Sequence, residues 1–147
     1  MTKAPPTQAR DYAALNITWA GAVVGLLQVS DGEAPHGSEL PVLGLAAFSL
    51  AKALSKEKIG SWIRQPLVEP DPAGGRRPKG RGLRHTLGEL ITCTRCVGTW
   101  SSLGLVGLRV ARPREGRIVA NILAVSALND WLQTGYSYAC SRANAVS

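Results

Sequence analysis

Aromatic residues are scarce in this sequence, with one Phe, three Tyr and four Trp among 147 residues. So few ring faces cannot stack successive bases of a single strand. The net charge of +7 therefore does not by itself argue for nucleic acid as a partner. Cysteine is also sparse: Cys93 and Cys96 form a CxxC and Cys140 stands alone, and an odd count is not the framework of a disulfide-stapled secreted domain. No second CxxC, no Ser/His/Asp order and no paired carboxylates stand out. GGRRPKGRG at 74–82 is basic and glycine-rich, but no Gly-Lys-Ser/Thr ends it, so it is not a phosphate-binding loop. The chain is read as non-enzymatic.

Charge is missing as well, but only in places. A mean hydropathy of +0.02 describes an ordinary soluble domain. That average conceals runs without Asp, Glu, Lys or Arg. Tyr12–Ser30 has none, and as a helix it would be about 28 Å long, close to a hydrocarbon core. Gly21 and Gly25 within it form a small-xxx-small pair that would admit a neighbouring helix. No A-x-A cleavage pattern follows, which argues against a signal peptide. Leu40–Leu54 is apolar apart from Lys52, a side chain long enough to snorkel. Val97–Leu108 is uncharged and rich in glycine. Ile118–Ala139 is apolar but interrupted by Asn121, Asn129 and Asp130, with Trp131, Tyr136 and Tyr138 toward one end as in an interfacial belt. A carboxylate such as Asp130 in apolar surroundings must pair with a base, reach water or serve a function.

These runs predict an all-α fold: a small helical membrane protein of about four apolar helices in two pairs, joined by a basic irregular loop. The domain extends over 12–141, after a flexible leader 1–11 and before a tail 142–147. The loop, 55–95, holds nine Lys/Arg against four Asp/Glu. The positive-inside rule places it in the cytoplasm, with both termini on the same side and the acidic 31–39 segment outside. Arg109, Arg112, Arg114 and Arg117 run against that orientation. A soluble helical subunit buried in a larger assembly is the other way to hide the same runs.

The densest chemistry is Gly88-Glu89-Leu90-Ile91-Thr92-Cys93-Thr94-Arg95-Cys96-Val97-Gly98-Thr99-Trp100. Cysteines at i and i+3 suit a zinc half-site or a dithiol. A complete zinc site needs further ligands, from His85, His36, Cys140 or a second chain. Arg95 and a helix N-terminus would both favour thiolate. No proline-bearing helix or βαβ pattern follows, so structural use is favoured over thiol–disulfide catalysis. Glu89 is read first as a capping or salt-bridging carboxylate, facing Arg95 or Arg84. Arg64, beside Trp62, is read as an interfacial anchor or, more sharply, as a salt-bridge partner of Glu89.

The pattern E-L-x-x-C-x-x-C-x-x-x-W, from Glu89 to Trp100, follows an R-x-P at Arg64, Gln65 and Pro66. Over roughly Leu40 to Tyr138 it resembles a bacterial family catalogued as domain of unknown function 1360. Leu67 stands where members usually carry an aromatic, and Thr94-Arg95 where they carry Pro-Phe. The resemblance implies a small membrane-embedded bacterial protein, with sporulation-associated relatives and no established enzyme activity. The resulting expectation is a non-enzymatic accessory or assembly subunit of the bacterial inner membrane. Its partners would be membrane lipids and other membrane subunits or further copies of itself. A CxxC-based metal or redox module is the alternative.

Overall fold

A computed structural model describes residues 9–29 and 33–146. Residues 1–8 of the expected leader, 30–32 of the acidic segment and 147 of the tail lie outside the described residues. Each of the four apolar runs is a helix: α1 (Ala9–Val29), α2 (Glu39–Ser55), α5 (Thr94–Ala111) and α6 (Pro113–Val146). Between α2 and α5 lie a 3-10 turn (Lys58–Gly60), α3 (Ser61–Arg64), two short strands β1 (Val68–Pro70) and β2 (Arg76–Pro78), and α4 (Leu83–Thr92).

The helices do not group as two pairs. α2 lies between α5 and α6, and these three form the bundle, while α1 lies along the outside of α5. Tyr12 meets Glu89 at one end of α1, and Leu26 lies beside Gly107 at the other, so α1 runs parallel to α5. Glu39 meets Arg109 and Ser55 meets Thr94, so α2 and α5 are antiparallel. Lys52 meets Asp130, which sets α6 parallel to α2. The chain therefore alternates direction at each long helix, and the 55–95 segment caps one end.

The seams are built from small residues. Ala46, Ala47 and Ala51 on α2 and Ala120, Ala124 and Ala127 on α6 are buried, with Leu43, Val97 and Leu105 the larger members of the core. Alanines let helix backbones approach closely, which is the packing style of helices without a hydrophobic drive between them. At the sharp turn from α5 into α6, a Cβ on buried Gly116 would press on the Cα of Arg109 and lie 2.7 Å from its N.

The 55–95 segment is not the irregular loop the sequence suggests. β1 and β2 pair antiparallel, with Glu69 opposite Arg77 and a 2.6 Å bridge between their side chains. The Asp71–Gly75 turn closes the hairpin: Asp71 Oδ1 accepts from the Ala73 N–H at 2.9 Å, and the Asp71 carbonyl from Gly74 N–H. The tail also differs, because α6 continues to Val146.

No helix among the described residues is long and apolar enough to cross a membrane. The expected spans fail for identifiable reasons. Asn16, Thr18 and Gln28 dilute α1, and α2 has only 17 residues, with Glu39 at its start and Lys52 near its end. α5 reads Arg95 to Arg109, and its middle is diluted by Thr99, Ser101 and Ser102. α6 is long, but Asn121, Asn129 and Asp130 divide it.

Candidate functional site

The largest fully buried side chain among the described residues is an arginine. Arg64, 2% exposed, turns back from α3 against the C-terminus of α2. Its guanidinium donates to the carbonyls of Ala53, Leu54 and Glu57. The last carbonyls of a helix have no partner within it and carry its negative dipole end, so a buried cation with several donors fits there. Gly60 makes room, since a Cβ would lie 2.8 Å from both Arg64 Nη1 and Leu54 O. Arg64 is thus neither an interfacial anchor nor the partner of Glu89.

Glu89 takes other partners. The Tyr12 hydroxyl donates to Glu89 Oε2 at 3.1 Å, and His85 Nδ1 lies 3.8 Å from the same oxygen. This ties the start of α1 to α4, and neither Arg95 nor Arg84 bonds Glu89. Arg84 instead donates to the Pro66 carbonyl at 2.7 Å, and Arg95 is exposed on the first turn of α5.

Cys93 is the one residue between α4 and α5. Its N–H donates back to the carbonyls of Glu89 and Leu90, both at 3.1 Å, which ends α4. Its backbone is extended, and its sulfur accepts from the Cys96 N–H at 3.3 Å, the N-cap position of α5. The two thiols are free and differ in character. The Cys93 thiol is held below the usual range by the Cys96 thiol, by the Cys96 N–H and by Arg95. Burial first, and Cys93 second, push Cys96 up to about 11. Thr94 Oγ1 lies 3.0 Å from Ser55 Oγ, fixing the cap of α5 to the end of α2.

No group of three or more His, Cys, Asp or Glu is placed to hold a metal among the described residues. The CxxC alone supplies two ligands. Exposed His36 precedes α2, and Cys140 is half-buried on α6. Trp100 is half-buried on α5. Gly21 and Gly25 meet no neighbour, since a Cβ at either would find nothing within 4 Å.

Two ion pairs account for charges in or beside the apolar runs. Lys52 Nζ lies 2.9 Å from Asp130 Oδ2 and 3.2 Å from Glu57 Oε1, so the only base and the only acid within those runs neutralise each other. Arg109 is buried at the other end and grips Glu39 with two bonds, Nε to Oε1 and Nη2 to Oε2, both 3.0 Å. This pair explains one of the four arginines that ran against the charge rule. A hint was present: Glu39 immediately precedes the second apolar run and Arg109 immediately follows the third.

The model of a family described as Protein of unknown function (DUF1360) matches residues 42–136. The chain belongs to this family. Sporulation protein YjcA of Bacillus subtilis (strain 168), a distant relative of this DUF1360 chain, is 28% identical over 107 residues, which cover 67% of this chain and 91% of the relative. No solved structure matches. The DUF1360 match contains every part of the cap except Tyr12: Arg64, the hairpin, Glu89 and the cysteine pair.

Proposed function

We propose that this protein is an accessory subunit of a membrane-associated bacterial assembly, and that its outer helix faces pack against apolar partner helices. The observation that carries this is on α6. Ile118, Ile122, Val125, Leu132 and Tyr136 recur at helical spacing, each more than half exposed. At 100° per residue they lie opposite the buried Ala120–Ala124–Ala127 seam. A helix that is apolar on both faces needs cover on both, and the described residues cover only one. An exposed apolar stripe of this extent marks an interaction surface. Gly21 and Gly25 leave a second open, small-residue face on α1. The basic 55–95 cap would lie toward anionic headgroups, at the cytoplasmic end of the bundle.

Pairing Lys52 with Asp130 supports the same reading, because a paired charge is far less costly than a lone one once water is displaced. The name of the Bacillus subtilis relative makes sporulation the first process in which to seek the partner.

Fractionation tests the proposal. The wild-type chain is expected in the membrane pellet after a low-salt, high-pH wash, and the pair Ile122→Glu and Leu132→Glu is expected to release it. Both side chains are exposed, so the variant should keep its far-UV circular dichroism, with stability changed by only about 0.5 kcal/mol per site. Recovery of the wild type as a monomer in detergent-free buffer would end the proposal.

A further inference from the structure

We propose that Cys93 and Cys96 form a thiol–disulfide exchange pair, Cys93 attacking and Cys96 resolving, with a protein disulfide as the co-reactant. The geometry assigns the roles. Cys93 caps α5 with its sulfur, so the attacking atom sits at the positive end of an 18-residue helix and already receives the Cys96 N–H at 3.3 Å. Cys96 lies one turn in on the same helix, and its N–H donates to the Cys93 sulfur, so the i, i+3 spacing sets the second thiol beside the first. The groups around the pair are Arg95 on α5, Tyr12 on α1, Glu89 and His85 on α4 and Lys56 at the end of α2, where its Nζ reaches the Thr92 carbonyl. Arg95 favours the thiolate. The Glu89 carboxylate is engaged by Tyr12, so it does not bond the sulfurs.

The exchange balances. The Cys93 thiolate attacks one sulfur of the partner disulfide and forms a mixed disulfide. The partner's S–S bond breaks, and its electron pair leaves on the second sulfur, which takes a proton from water. Cys93 has then lost its negative charge, one of the two influences that held the Cys96 proton in place. Cys96 loses that proton to water and attacks the Cys93 sulfur. The Cys93–Cys96 disulfide forms and the mixed disulfide breaks, its electron pair leaving on the partner's sulfur, which takes a proton from water to give a second thiol. Two electrons pass from the dithiol to the partner. The N-cap and the i, i+3 spacing carry this pairing, and it does not depend on what covers α6.

Oxidised glutathione is the probe, applied to the full chain in mild detergent after reduction, with products mapped by mass spectrometry. In the wild type, one probe molecule per chain is expected to give the Cys93–Cys96 disulfide and two reduced glutathiones. In Cys96→Ser the adduct is expected to stop at Cys93, formed about tenfold faster at neutral pH than any adduct at Cys140. Cys93→Ser preserves an N-cap hydroxyl and so should fold, with Cys96, still held up by burial, forming its adduct more slowly than Cys93 does in Cys96→Ser. Equal rates at Cys93 and Cys140, first attack by Cys96, or thiols blocked by zinc until a chelator is added would each overturn the assignment.

Discussion

Replacing Arg64 with methionine is expected to cost about 3–5 kcal/mol, the largest effect of any single exchange in the cap. Methionine fills much of the space but donates nothing. The carbonyls of Ala53 and Leu54 then lose the guanidinium as donor, and that of Glu57 keeps only the Gly60 N–H. The negative end of α2 loses its counter-charge at the same time. For a chain of this length, that cost corresponds to a fall in Tm of roughly 10 °C. Arg64→Lys keeps the charge but not the fork of donors, so it should recover only part of the loss. Denaturant unfolding followed by circular dichroism reads both. An Arg64→Met variant within about 1 kcal/mol of wild type would show that the guanidinium does not hold α2 to α3.

The second large effect is expected at Gly116. An alanine there meets the backbone of Arg109 rather than the end of a side chain, so α5 and α6 must separate. The overpacking alone costs about 1–3 kcal/mol. Separation also draws Arg109 from Glu39 and loosens a buried ion pair, so the total should exceed that range. Gly104→Ala is the control. It lies on the same α5, where a Cβ would meet nothing within 4 Å, and helix propensity favours alanine by about 1 kcal/mol. Opposite signs for the two exchanges, measured by thermal unfolding, are the expected result. Equal effects would mean that the α5–α6 turn has slack.

The positions of the long helices were legible because a charge-free run is a local property. Among the described residues, each of the four runs falls in a helix, and every helix reaches beyond its run into polar residues at one end or both. The hairpin and α4 were not legible, because the Pro and Gly content of 69–82 describes a turn equally well with or without paired strands. Arg64 was visible in the sequence but its work was not. Its partners are backbone carbonyls, which carry no sequence signature, and the only visible acid of suitable character was Glu89. Glu89 in turn belongs to Tyr12, 77 residues away, a pairing that spacing could not reveal. The cysteine pair stands out in the sequence, but its capping role depends on α4 ending at Thr92. Two long helices do precede the 55–95 segment and two follow it, but how they pack was hidden for a similar reason. The seam between α2 and α6 is made of alanines, whose burial leaves little periodic contrast to read.

The Lys52–Asp130 pair constrains how the protein is made. Its two ends are 78 residues apart, so the ammonium emerges long before its counter-ion. Until the last helix has been synthesised, Lys52 has Glu57 beside it but not Asp130. The ammonium is therefore held first by a near neighbour and only later shared with Asp130, whose arrival sets the height of α6 against α2.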